Sequence, residues 1–183
     1  MNIPNSLSIF RIILSPVFLT LYFAGEGELK SWALAVYIFA SATDFLDGYI
    51  ARKYNMSTNL GKLLDPIGDK LLTFSAVLAL SIDGRVPVWC VVALFIKELL
   101  MGIGGIWVYR ELGSVVGSNI FGKAATCAFI VACAALMWYN EKIPANIATL
   151  MISAALCLTF IAFFSYVVQV IKILKPRDKW DRA

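Results

Sequence analysis

Six long apolar stretches, parted by short polar or glycine-rich connections, leave this chain very few ways to fold. They run over approximately 6–24, 32–52, 61–82, 86–109, 119–139 and 144–172. Each is close to the ~20 apolar residues a helix needs to cross a bilayer. Inside hydrocarbon a backbone must satisfy its own hydrogen bonds, which makes helices the expected form. Composition agrees, at 60% hydrophobic and 15% charged, with a mean hydropathy of +0.79. Soluble domains sit near about 45–50% apolar and about 25% charged. The expectation is an all-α integral membrane protein: a bundle of six transmembrane helices forming a single domain over residues 1–183.

The connections give an orientation. Lys30, Arg85 and Lys142 fall on one side. The other side, or the helix ends facing it, holds Arg52, Lys53, Lys62, Arg110, Lys123 and the tail Lys172, Lys175, Arg177, Lys179, Arg182. The excess of Lys and Arg marks the cytoplasmic face, so both termini are expected there, in a multi-pass protein of the cytoplasmic membrane. The first apolar stretch lacks a basic leader and carries Arg11 within it, so it reads as a retained span rather than a signal peptide. Pro87 and Pro144 suit the first turns of the helices that follow them.

Charge inside such a chain is costly and marks a site. Asp44-x-x-Asp47-Gly48-x-x-Ala51-Arg52 is followed, eight residues on, by Gly61-x-x-x-Asp65-x-x-x-Asp69. Spacings of three and four put each aspartate pair on one helix face. Gly48, Ala51, Gly61 and Gly68 are small enough to let a neighbouring helix or a ligand come close. Four gathered carboxylates repel unless a cation sits among them. All-oxygen ligation favours hard ions such as Mg²⁺ or Mn²⁺, which are shared with substrate phosphates. Arg52 offers a bidentate phosphate contact. Pro66, lacking an N–H, should kink or start a helix. The chain has no His, so any acid–base chemistry falls to carboxylates, Lys, Arg or hydroxyls. Cys90, Cys127, Cys133 and Cys157 lie in apolar runs without C-x-x-C spacing and read as packing residues.

This aspartate string resembles the signature of the CDP-alcohol phosphatidyltransferases at every fixed position, spacer included. The resemblance extends to the opening Asn2-Ile3-Pro4-Asn5-x-Leu7-Ser8-x-x-Arg11 and to the six-segment layout. It implies a six-transmembrane-helix fold, commonly dimeric, with a polar cavity open to the cytosol. It further implies that Asp44, Asp47, Asp65 and Asp69 hold two divalent ions, and that Gly48, Ala51 and Gly61 accommodate the cytidine nucleotide. Arg52 would bind phosphate and Asp69 would serve as the general base. The implied reaction is attack by an acceptor hydroxyl on the lipid-bearing phosphorus of CDP-diacylglycerol, expelling CMP.

Within the family, the opening and Asn59-Leu60-Gly61-Lys62-Leu63-Leu64-Asp65-Pro66 resemble the phosphatidylglycerophosphate synthases. Their acceptor, sn-glycerol 3-phosphate, calls for a cationic pocket, and Lys97 and Lys123 are the candidates, with Arg110 nearer the surface. Lys97 has Glu98 beside it, so a structural ion pair is the competing reading; Lys123 competes as a boundary residue that snorkels. Where those synthases usually show Arg-Glu and then Gly-Leu-Arg, this chain has Lys97-Glu98 and Gly102-Ile103-Gly104-Gly105. After Gly122-Lys123 it reads Ala124-Ala125-Thr126, where a second Lys is common. Two fewer cations keep a CMP-forming cardiolipin synthase, with phosphatidylglycerol as acceptor, open as the alternative. A rival of another class is a carboxylate-based metal-ion transporter, which would place charges at span centres in repeated halves; the aspartates lie toward one end and no repeat is visible. The expected partners are CDP-diacylglycerol, a small polar or lipid alcohol, membrane lipids and a second copy of the chain, with no role for nucleic acid.

Overall fold

The computed structural model describes residues 3–24, 28–53, 61–112, 120–139 and 142–174; the side chains of 3–5, 44–53, 61–66, 112, 120–121 and 174 lie outside that description. Six helices make up the described residues: α1 (Ile3–Ala24), α2 (Glu28–Lys53), α3 (Gly61–Ile82), α4 (Val88–Leu112), α5 (Ile120–Tyr139) and α6 (Ala145–Leu174). Their limits follow the apolar stretches to within a few residues. One expectation shifts: α3 begins at Gly61 and runs through Pro66, so the proline does not start the helix. It sits in the second turn, where a single missing N–H costs one bond. Pro87 and Pro144 fall one residue before α4 and α6, and their carbonyls accept the first helical bonds, from Cys90 N (3.0 Å) and Ala148 N (3.0 Å).

The turn after α3 has a clear physical cause. Gly84 adopts φ of 72°, a left-handed conformation that glycine alone enters without strain. Its N–H reaches the Ser81 carbonyl at 3.1 Å, and the Arg85 N–H reaches Leu80 at 2.9 Å. This pair of bonds is a Schellman stop, and it turns the chain back so that α4 descends beside α3. Asp83 in the same turn accepts from the Tyr22 hydroxyl at 3.0 Å and pairs with Lys30 at 3.6 Å. That contact ties the ends of α1, α2 and α3 together.

α3 is the hub of the bundle, touching α1, α2, α4 and α5, while α4 and α5 also pack on α6. The core runs through Phe18, Tyr37, Val77, Leu80, Phe129, Leu136 and Ile152, all fully or nearly fully buried. On α3 the small residues Ala76 and Ala79 are also wholly buried, which lets the central helix be approached on several sides. Trp32, Phe39, Trp89, Phe95, Trp107 and Phe164 face outward and exposed, as suits a surface solvated by lipid. Among the described residues, α1, α4, α5 and α6 contain stretches long and apolar enough to cross a membrane. The molecule is an all-helical, multi-pass membrane protein.

Candidate active site

Cover along α3 is fullest in its second half and falls toward its start. Along one face of α3, Leu80 and Val77 are fully buried, Thr73 is half-buried, and the Lys70 side chain is 46% exposed. The adjacent row behaves alike: Ala79, Ala76 and Leu72 are buried, then the Asp69 side chain is 38% exposed. Both rows lose their cover one turn at a time toward the start of α3, and Asp69 is the partly exposed end of its row.

α4 lies against α3. Its inward stripe is Cys90, Leu94, Lys97, Met101, Gly104 and Val108, spaced alternately by four and three residues, the repeat of a helix packed against a bundle. Cys90, Leu94, Lys97 and Val108 are buried, whereas Met101, Gly104 and the neighbouring Gly105 are half-buried. A Cβ built at Gly104 or Gly105 would meet no atom within 4 Å. The stripe therefore borders open space between Lys97 and Val108.

Charge is organised around that opening. Lys97 donates to Glu98 Oε1 at 2.6 Å, and Lys70 reaches Glu98 Oε2 at 2.7 Å from α3. Lys97 is thus ion-paired, and its partner is shared with a second lysine. Lys123 is exposed near the start of α5. On the α1 side, the fully buried Arg11 donates from Nη1 to Asp69 Oδ1 at 3.3 Å. Gly68 makes this possible, since a Cβ there would lie 3.2 Å from the Ser8 carbonyl oxygen; the two helices touch backbone to side-chain stem at this level.

The rest of the aspartate set is placed by backbone only. Asp44, Asp47, Gly48, Ala51 and Arg52 belong to the last turns of α2, and Gly61 and Asp65 to the first turns of α3; their side chains lie outside the described residues. α2 and α3 contact one another. Among the described residues no group of three metal-ligating side chains stands together. Hard-oxygen donors on two touching helices nonetheless suit a small divalent ion in their chemistry. Two charged residues next to Asp69 escaped sequence reading. Lys70 was not singled out, and Arg11 was noted only as an argument against a signal peptide and as part of the opening motif. A guanidinium within an apolar run was the available signal for Arg11; pairing across helices leaves no local trace for Lys70.

The sequence pattern described as CDP-alcohol phosphatidyltransferase matches residues 1–171. The CDP-diacylglycerol--glycerol-3-phosphate 3-phosphatidyltransferase of Bacillus subtilis is 34% identical over 180 residues, covering 90% of this chain and 93% of the relative. A "Probable phosphatidylglycerophosphate synthase" of Mycobacterium tuberculosis is 33% identical over 175 residues, covering 93% and 82%. A protein of Mycobacterium bovis named "Putative cardiolipin synthase" is 35% identical over 132 residues, covering 72% and 62%.

Proposed function

The chain belongs to the CDP-alcohol phosphatidyltransferase family, and from that premise we propose that it transfers a phosphatidyl group from CDP-diacylglycerol to sn-glycerol 3-phosphate. The products are phosphatidylglycerophosphate and CMP. One observation supports this above the others: the half-exposed carboxylate of Asp69, one helical turn from Asp65 on a helix that touches α2, the helix that carries Asp44 and Asp47. The acceptor oxygen forms a bond to the lipid-bearing phosphorus, the bond from that phosphorus to the CMP oxygen breaks, and the acceptor proton passes to Asp69. An aliphatic hydroxyl is a weak acid, so a base within hydrogen-bond reach is needed.

Asp44, Asp47, Asp65 and Asp69 are the residues that would hold two divalent ions, Mg²⁺ or Mn²⁺. Bound there, such ions supply electrostatic stabilisation to the entering and leaving oxygens of the displacement. Arg52 binds the pyrophosphate, and Gly48, Ala51 and Gly61 leave room for the nucleotide. Lys97 and Lys123 are the acceptor-side cations. In this reading all six helices cross the cytoplasmic membrane as one domain over 1–183, with both termini and the site facing the cytoplasm and two copies forming a dimer. Lipid tails then enter from the bilayer while the soluble acceptor arrives from the aqueous side.

A second reading keeps the same donor and takes phosphatidylglycerol as acceptor, giving cardiolipin. It is favoured by the Lys97–Glu98 pair, which spends a cation that a phosphomonoester needs, and by the open space beside Gly104 and Gly105. Incubating the purified protein with CDP-diacylglycerol, Mg²⁺ or Mn²⁺ and each acceptor, then weighing the product lipids by mass spectrometry, separates the two. Phosphatidylglycerophosphate supports the first reading; cardiolipin alone replaces it; neither product with any acceptor refutes both.

A further inference from the structure

Arg11 is one of the largest wholly buried side chains among the described residues, and it sits on an otherwise uncharged helix. A buried guanidinium is tolerated only with partners of good geometry, and Asp69 Oδ1 is one at 3.3 Å. Gly68, next to Asp69, brings α3 so near α1 that an added Cβ would stand 3.6 Å from the Arg11 Cβ. The guanidinium is thus wholly buried against α3 while the Asp69 side chain stays 38% exposed.

We propose that Arg11 is a positioning residue, which fixes the rotamer of the Asp69 carboxylate so that it meets the acceptor hydroxyl in one orientation. The proposal rests on the reading of Asp69 as the base. An aspartate side chain has two torsions, and a buried guanidinium held at one oxygen narrows the orientations that the other can take. Misplacement of about 1 Å in a reacting group costs about 10²-fold in rate. A residue acting through Asp69 changes the chemical step and leaves donor binding alone.

The test uses the full chain in detergent or nanodiscs with CDP-diacylglycerol, Mg²⁺ and glycerol 3-phosphate. Arg11→Gln is expected to lower kcat about 10²-fold with the KM for CDP-diacylglycerol nearly unchanged, and Arg11→Lys to recover part of the loss. Wild-type kcat in Arg11→Gln, or a loss confined to KM, overturns the proposal while leaving the function intact. Should the wild-type protein form no product with any acceptor, the functional reading fails, and the contact is judged by thermal unfolding in EDTA. Arg11→Gln and Asp69→Asn must then shift the midpoint non-additively; additive shifts overturn the pairing itself.

Discussion

Lys70 of α3 and Glu98 of α4 meet at 2.7 Å across the helix interface, and the other oxygen of the same carboxylate holds Lys97 at 2.6 Å. One anion therefore reconciles two cations beside an apolar core. Replacing Glu98 by Gln leaves both ammonium groups facing each other with only a neutral acceptor between them. A hydrogen bond to a charged group is worth about 1.5–3 kcal/mol, and Lys70 is partly screened by solvent, so a loss of about 2 kcal/mol is expected. It is measured as a lower unfolding midpoint in detergent. Adding Lys97→Met to Glu98→Gln should return part of that loss, because removing both charges of a buried pair is far less costly than removing one.

Gly68 gives a second prediction, from sterics alone. The Cβ of Gly68→Ala would stand 3.2 Å from the Ser8 carbonyl oxygen, a backbone atom that cannot rotate away. α1 and α3 must part by a few tenths of an ångström, and overpacking of this kind costs about 1–3 kcal/mol. The same displacement pulls Arg11 from Asp69. Gly68→Ala should therefore lose both stability and turnover, whereas Gly102→Ala, mid-helix with nothing within 4 Å of its Cβ, should raise the unfolding midpoint slightly, since Ala is the better helix former by about 1 kcal/mol.

How much of this was legible beforehand divides along a physical line. Helix positions were readable because an apolar run ending in glycine, proline or charge specifies its own limits, and α3 from 61 to 82 matched to the residue. Of the two expectations for Pro66, a helix start is set aside, because an early helical proline forfeits one bond without preventing the turn from continuing. The aspartate pairs were legible as pairs, since spacing along a helix is local information. What could not be read was Arg11 finding Asp69, 58 residues away, or Glu98 serving Lys70 as well as Lys97. Such contacts depend on which helices become neighbours, and the apolar pattern of each helix is compatible with several neighbours.

Asp69→Asn tests the acid–base assignment. The substitution preserves volume and the acceptor oxygen that Arg11 can address, but removes the capacity to take a proton. Release of CMP should fall about 10²- to 10⁴-fold, with the fold intact and CDP-diacylglycerol still bound. Normal turnover in this variant would strip Asp69 of the role of base.

Chelation addresses the ligand set as a whole. EDTA should abolish transfer, and Mg²⁺ or Mn²⁺ in excess should restore it. Unfolding midpoints carry the independent readout: ion binding to the native state alone raises stability, by about 2.7 kcal/mol at a hundredfold excess over Kd. That rise should vanish in Asp44→Asn or Asp65→Asn. An unchanged midpoint with and without the ion, in the wild-type protein, would separate these aspartates from metal binding.

The two acceptor-side lysines are predicted to behave differently. Lys123 is exposed near the start of α5 and free to meet a diffusing anion, so Lys123→Ala should raise the KM for glycerol 3-phosphate with little change in kcat. Lys97 is buried with its charge engaged by Glu98, so Lys97→Ala leaves Glu98 with Lys70 and should lower the unfolding midpoint as well as weaken the acceptor. Steady-state kinetics against both glycerol 3-phosphate and phosphatidylglycerol decide the matter. A KM that rises for the phosphomonoester alone assigns Lys123 to phosphate recognition. A KM unmoved by Lys123→Ala would leave the acceptor phosphate without its exposed cation, and would turn the balance toward a lipid alcohol seated beside Gly104 and Gly105.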